Sequence, residues 1–246
     1  GVPVVDFFDD ADLSGFIGLQ VHAVKEPDGG VCARWRDIRV KDMGVSRWAP
    51  FFVKGADGKF ALKGARFVLP DEWGFNDAEG YLEGVHKPDE KRDGLVVSDR
   101  NYHDFIVRVT YRFFGGNSAL YFRAEEVNTP WLLKGFQNEI GGNNKDSALW
   151  HTAGDKTKGR GWVAQDDEFI AQARNPDGWN TTCTVAYGDR IVSILNGQRT
   201  VDMIDPLCEK SGKVGLQLHG GTNGKMWFKD FEILEITPAM RKLIDR

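Results

Sequence analysis

The chain has 246 residues, of which 32 are basic and 36 acidic, so its formal net charge is −4. This balance, without a basic stripe, argues against nucleic-acid binding, and no apolar run approaches the ~20 residues of a membrane-spanning helix. The 29 glycines, eight tryptophans and 16 phenylalanines favour short strands, tight turns and large packing residues.

The start of the chain resembles its end. Residues 15–22 (GFIGLQVH) match residues 212–219 (GKVGLQLH), and residues 35–40 match 228–233 in pattern. Solenoid repeats recur every ~20–50 residues, so this wider spacing indicates a domain-sized repeat. We predict that residues 1–44 are the C-terminal tail strands of an upstream repeat copy, followed by a jelly-roll domain over 45–237 and a tail over 238–246.

Strand-forming stretches then follow at short intervals, each bounded by turn residues. The predicted strands cover residues 18–23, 33–41, 65–69, 81–84, 94–98, 104–114, 118–123, 135–140, 179–187, 190–195, 200–203, 212–219 and 225–236. Residues 44–64 are interpreted as a covered loop or linker, and residues 141–177 as loop. Because helical patterns between the strands are scarce, we predict an all-β antiparallel sandwich or jelly roll.

Three cysteines, Cys32, Cys183 and Cys208, stand far apart and lack the spacing of metal ligands. We expect small buried thiols.

The two strands predicted within residues 1–44 are separated from the sheet of their own repeat copy and would therefore have unpaired edges. Residues 1–44 are therefore expected to dock on the main domain or to pair with a second copy in a homodimer.

Alternation along the strands sorts the residues by face. One outward face collects the polar residues Asn117, Tyr121, Arg123, Gln137, Glu139, Gln217 and His219. Fork-shaped donors and planar amides suit sugar hydroxyls, and Trp131, Trp150 and Trp162 lie in nearby segments where their rings could pack on a sugar. The alternative interpretation is the ordinary solvated face of a sandwich.

Four motifs at these positions resemble the 3-keto-disaccharide hydrolase domain family. They are NSALYFR at 117–123, GFQNEI at 135–140, SALW at 147–150 and GLQLHG at 215–220. The resemblance covers roughly residues 64–236 and implies a concanavalin A-like jelly roll. Relative to the family pattern G-aromatic-E-x-Q-I, glutamate and glutamine are exchanged at Gln137 and Glu139, and residues 141–144 replace an expected aspartate.

The resemblance implies action on glycosides oxidised to a ketone at C3. A base removes the C2 proton and the enolate expels the C1 substituent, which needs no matched carboxylate pair. Glu139 or His151 is the implied base, and Arg123 or a divalent cation held by carboxylate and imidazole would stabilise the enolate. The implied substrate-binding residues are Asn117, Tyr121, Gln137, Asn143, Trp150, Gln217 and His219.

The family also implies a periplasmic or secreted bacterial protein with a carbohydrate substrate. Because one fold can serve several functions, a non-catalytic, lectin-like carbohydrate-binding module remains the alternative. A weaker third hypothesis is a piece of a tandem scaffold in which packing between domains is the main role.

Overall fold

The computed structural model describes residues 18–20, 34–36, 48–87, 89–142, 145–154, 158–238 and 240. The tail strands predicted within residues 1–44 lie almost wholly outside the described residues. Their docking or dimerisation, and the domain boundaries drawn around them, therefore stay predictions. Of the predicted tail over 238–246, only residues 238 and 240 are described.

The described residues form seventeen strands and one short α-helix. The strands of the first half are β1 (Ala49–Pro50), β2 (Phe52–Lys54), β3 (Phe60–Leu62), β4 (Ala65–Val68), β5 (Trp73–Asn76), β6 (Tyr81–Val85), β7 (Gly94–Ser98), β8 (Phe105–Gly115) and β9 (Ser118–Glu126). The second half contains β10 (Leu133–Ile140), β11 (Leu149–His151), β12 (Gly161–Ala164), α1 (Asp167–Ala173), β13 (Trp179–Tyr187), β14 (Arg190–Leu195), β15 (Gln198–Ile204), β16 (Lys213–Leu218) and β17 (Lys225–Glu235).

Two antiparallel sheets make up the sandwich. The front sheet has the order β12-β11-β10-β9-β16-β7-β4, and the back sheet has the order β15-β14-β13-β8-β17-β6-β5, with β1 added to β17. Strands distant in sequence lie next to each other, such as β9 beside β16, as in a jelly roll. The predicted all-β sandwich is confirmed.

The core lies between the two sheets and is built by alternate residues of each strand. From the back sheet it takes Phe105, Val107, Val109 and Tyr111, and from the front sheet Leu120, Phe122, Phe136 and Ile140, all fully buried. The predicted strands over 179–187 and 190–195 form a hairpin across Gly188-Asp189, since β13 pairs with β14 on either side of this turn. Local alternation thus decides which side chains face the core and which remain outside.

A polar cluster also crosses the core. The Asn138 amide of β10 donates to Thr184 Oγ1 at 2.9 Å and to Ser193 Oγ at 3.2 Å on the back sheet. Its carbonyl oxygen accepts from Thr182 Oγ1 at 2.8 Å. All four side chains are buried, so these bonds satisfy groups that would otherwise be costly to bury.

Two segments predicted as loops contain regular structure. Residues 44–64 include β1 to β3, and Phe51 between them stacks on Phe231 of β17 with ring centroids 4.5 Å apart. Residues 141–177 include β11, β12 and α1, whose N-cap Asp166 accepts from the Phe169 backbone N–H. Strands of two to four residues and a two-turn helix give little periodic signal, which explains the difference.

Among the described residues, no helix is long and apolar enough to cross a membrane. Cys183 and Cys208 are buried, as predicted, and Cys32 lies outside the described residues.

Candidate functional site

A pocket of about 590 Å³ opens on the outer face of the front sheet. This volume lies within the range of ligand-binding pockets. Seven of the ten residues predicted for the site line it, namely Asn117, Tyr121, Gln137, Glu139, Trp150, Gln217 and His219. The pocket therefore unites side chains that are spread in the sequence from Asn117 to His219.

Alternation and register explain this convergence. On β10, Phe136, Asn138 and Ile140 are fully buried on the core side, while Gln137 and Glu139 point into the pocket. Gln137 is paired with Tyr121 of β9 on one side and with Trp150 of β11 on the other, and Glu139 is paired with Ala119. Cross-strand neighbours on one face have Cβ atoms ~4.5–5.5 Å apart, so these outward side chains meet.

Glu139 is the most perturbed carboxyl group in the pocket. Its residue is only 7 % exposed, and burial raises its pKa from 4.5 to about 7. The hydrogen bond from the Asn117 amide and the nearby His219 oppose this rise, whereas Asp146 adds to it. A carboxyl group with a pKa near neutrality is suited to accept a proton as a general base.

A chain of amides and carboxylates lies beside Glu139. Gln137 Nε2 donates to Gln217 Oε1 at 3.1 Å, and Gln217 Nε2 donates to Asp93 Oδ2 at 2.6 Å. The other Asp93 oxygen accepts from the Gly220 backbone N–H at 2.8 Å. These bonds fix the orientation of both amides in the pocket. Burial, followed by the charge of Asp93, raises the pKa of Tyr121, so its phenol stays neutral.

Sequence reasoning missed Asp93 and Lys91, which also line the pocket. The feature of the sequence that could have identified Asp93 is the turn-forming pair Asp93-Gly94, where the strand β7 begins. In the folded chain this places the carboxylate beside Gln217 of the neighbouring strand β16.

Three indole rings form walls of the pocket, as the sequence indicated. Trp150 and Trp162 face each other across β11 and β12, edge to face, with ring centroids 5.0 Å apart. Trp131 lies elsewhere on the rim, where the Arg92 guanidinium is 5.9 Å from its ring. Trp131 and Trp162 are 38 % and 41 % exposed, so both present ring surface to a ligand.

Arg123 does not line this pocket, contrary to the expectation from alternation. Its side chain is fully buried, donates to the Gly188 carbonyl at 2.8 Å and to Cys208 Sγ at 3.2 Å, and pairs with Asp104 at 3.1 Å. The residue has a left-handed φ of 47°, and the pairing of β9 with both neighbours shifts register nearby. Such a bulge reverses the alternation and turns the guanidinium inward.

His151 also lies outside the pocket lining. It follows Trp150 on β11 and therefore points to the opposite face, against the edge of Phe136. Its Nε2 is 3.1 Å from Glu209 Oε1, and its Nδ1 accepts from the Arg160 backbone N–H at 3.4 Å. Asn143 lies outside the described residues. The catalytic roles expected of these side chains stay predictions, but the geometry favours Glu139 over His151 as the base.

Within the described part of the chain, no group of three His, Cys, Asp or Glu side chains is arranged to hold a metal ion. The pocket brings together the carboxylates of Asp93 and Glu139 and the imidazole of His219. The divalent cation considered from the sequence stays a prediction.

Solved structures with the same fold include carbohydrate-related proteins. A candidate glycosyl hydrolase from Parabacteroides distasonis is 19 % identical, with a TM-score of 0.53 and coverage of 77 % of this chain and 99 % of its own. The carbohydrate binding module CBM66 from Bacillus subtilis is 15 % identical, with a TM-score of 0.52 and coverage of 70 % and 96 %. The sequence has no significant match among curated proteins.

The match to a family model is more specific than these similarities of fold. Residues 52–234, from β2 to the end of β17, match the model of the 3-keto-alpha-glucoside-1,2-lyase-like domain. This range contains every described residue of the pocket and agrees with the resemblance found in the sequence motifs. The chain belongs to the 3-keto-disaccharide hydrolase family, whose model describes a 3-keto-alpha-glucoside-1,2-lyase-like domain.

Proposed function

We propose that this protein removes the C2 proton of a 3-keto-glycoside with Glu139 as general base and thereby eliminates the substituent at C1. The observation that carries the proposal is the buried Glu139 carboxyl group in the pocket, with its pKa raised to about 7. A base with such a pKa is largely ionised just above neutrality and still binds a proton well.

The reaction follows from the acidity that the C3 carbonyl gives to the C2–H bond. The Glu139 carboxylate takes the C2 proton, the electrons of that bond form a C2=C3 double bond, and negative charge moves to O3. When the carbonyl re-forms, a C1=C2 double bond appears and the bond from C1 to the leaving oxygen breaks with its electron pair. The leaving oxygen takes up a proton, and addition of water across C1=C2 completes a net hydrolysis.

The enolate oxygen needs donors that are already oriented. Tyr121 supplies a phenol that burial keeps neutral, and Lys91 supplies a positive charge on the same pocket. Gln137 and Gln217, held by their mutual hydrogen bond and by Asp93, provide amide groups for the sugar hydroxyls. In this assignment Arg123 stabilises the fold around Asp104 and Cys208, and takes no part in the reaction.

A second candidate function is binding of a carbohydrate without turnover. The observation that favours it is the indole walls, because exposed tryptophan rings and fixed amides are sufficient to bind a sugar. In that case Glu139 would accept hydrogen bonds from hydroxyl groups and would not take a proton from carbon.

Deuterium exchange at C2 separates the two functions. Methyl 3-keto-glucoside in D₂O is followed by NMR with the wild type, with Glu139→Gln, and with the control Glu168→Gln on the exposed side of α1. We expect exchange and elimination with the wild type and the control, and a loss of at least about a hundredfold in Glu139→Gln. Binding without exchange in the wild type would refute the elimination and support the binding module.

A further inference from the structure

His219 is a neighbour of the proposed base in the pocket. It directly follows β16, is exposed, and lines the same pocket as Glu139. Its backbone N–H donates to the Asn117 carbonyl at 3.1 Å, and the Asn117 side-chain amide donates to Glu139. One residue thus connects His219 with the Glu139 carboxyl group, and the charge of His219 opposes the rise in the pKa of that group.

The imidazole of His219 is oriented by the turn that follows it. Its Nδ1 is 2.9 Å from the Gly220 carbonyl oxygen, which can only accept, so Nδ1 carries a hydrogen. The turn itself is held by the Thr222 hydroxyl, which donates to the His219 carbonyl at 2.6 Å, and by Asp93, which accepts from the Gly220 N–H at 2.8 Å. Nε2 is therefore the nitrogen at which this imidazole gains and loses its proton.

Elimination of an alcohol needs a proton donor close to the base. The base acts on the hydrogen at C2 and the donor acts on the leaving oxygen, and both of these atoms are bonded to C1. Whatever the orientation of the bound sugar, the donor therefore belongs among the neighbours of Glu139. Of these neighbours, Asn117 carries an amide that does not titrate, whereas His219 carries an imidazole.

The other titratable side chains near Glu139 are less suited to this task. Asp93 accepts hydrogen bonds with both of its carboxylate oxygens. Tyr121 is fully buried with its pKa raised, and the proposed reaction places it, with Lys91, at the enolate oxygen. Asp146, whose charge also acts on Glu139, is fully buried outside the pocket lining.

We infer that His219 is the general acid of the elimination and donates its Nε2 proton to the oxygen that leaves C1. This inference rests on the proposed function. As the C1–O bond breaks with its electron pair, the leaving oxygen takes the proton from Nε2, so an alcohol departs and a neutral imidazole remains. When water adds across C1=C2, the imidazole takes a proton from that water and Glu139 returns its proton to C2. Both groups then regain their starting protonation.

The test compares two leaving groups with the wild type and with His219→Asn. Methyl 3-keto-glucoside releases an alcohol, comparable in acidity to water with a pKa of about 15.7, and phenyl 3-keto-glucoside releases a phenol with a pKa of about 10. Asparagine keeps a side-chain N–H donor and lacks Nε2. The matched control is His103→Asn, because His103 is exposed and lies outside the pocket lining.

In His219→Asn we expect elimination of methanol to fall at least about a hundredfold and elimination of phenol to fall less than about tenfold. Deuterium exchange at C2 should stay within about threefold of the wild type, because Glu139 still removes the proton. The control should leave all three rates unchanged. A merely structural role of His219 would instead lower the three rates together, because Glu139 would be displaced as well.

The same measurements define the results that would overturn the inference. Equal losses for the two leaving groups would overturn it, as would elimination of methanol at the wild-type rate. A loss of C2 exchange as large as the loss of elimination would also overturn it, because His219 would then act through Glu139. In each of these cases exchange in the wild type leaves the proposed reaction standing, whereas a wild type without exchange would refute that reaction and this inference with it.

Discussion

Replacement of Glu139 by glutamine should stabilise the fold, and the gain should depend on pH. The carboxyl group is 7 % exposed, and burial raises its pKa from 4.5 to about 7. Each unit of pKa corresponds to about 1.4 kcal/mol, so the buried negative charge costs about 3 kcal/mol of stability when it is fully formed. A glutamine keeps an oxygen that can accept the hydrogen bond from Asn117, and it carries no charge.

The sign follows from proton binding in the two states. Between about pH 4.5 and about pH 7 the unfolded chain has released this proton while the folded chain still binds it. The unfolded state then binds fewer protons, so the free energy of unfolding of the wild type decreases as the pH rises through this window. Glutamine does not titrate, so Glu139→Gln lacks this decrease.

Urea denaturation of both proteins across this window measures the effect. The difference in free energy of unfolding, variant minus wild type, should increase by about 3 kcal/mol from about pH 4.5 to about pH 7.5. Other titrating groups are common to both proteins and cancel in the difference. Glu168→Gln, on an exposed helix face, is the control and should change the free energy of unfolding by less than about 1 kcal/mol. A flat difference for Glu139→Gln would refute the claim that burial holds its pKa near neutrality.

Three further predictions concern the pocket and its surroundings. The rate of C2 exchange should rise with pH through about 7 and then level off, because Glu139 acts as a base only when ionised; a rate independent of pH in this range, measured by NMR, would contradict the assignment. Arg123→Met should destabilise the fold by about 3–5 kcal/mol in urea denaturation, because the buried Asp104 carboxylate would lose the positive charge of the guanidinium beside it. The matched control is Arg190→Met, which removes an exposed ion pair with Asp202 and should lower the free energy of unfolding by less than about 1 kcal/mol. His151→Asn should keep C2 exchange within about threefold of the wild type, since its ring faces Phe136 and Glu209; a loss as large as that of Glu139→Gln would restore His151 as the base.

The sequence predicted the sandwich and most of the pocket because both depend on the two-residue period of a strand. Gln137 and Glu139 alternate with buried Phe136 and Asn138, and this local pattern is sufficient to place them. The spacing of polar residues on β9 and β16 conveys the same information. Their convergence follows once the strands pair in the jelly-roll order.

The prediction failed where the period is interrupted or too short to detect. The bulge that turns Arg123 inward requires a left-handed φ at a residue type that seldom adopts it. It also depends on close packing by Gly135 and Gly212, whose Cα hydrogens leave room for the backbone at Ala124. His151 occupies a three-residue strand within a polar, glycine-rich stretch, so its face is set by pairing with β10 and not by any local pattern.

The polar cluster around Asn138 has a consequence for the way the molecule melts. Apolar contacts have no preferred direction, whereas the hydrogen bonds between Asn138, Thr182, Thr184 and Ser193 hold only in one alignment of the two sheets. Amide protons of β10 and β13 should therefore exchange with solvent only through a common global opening, and calorimetry should record a single cooperative transition.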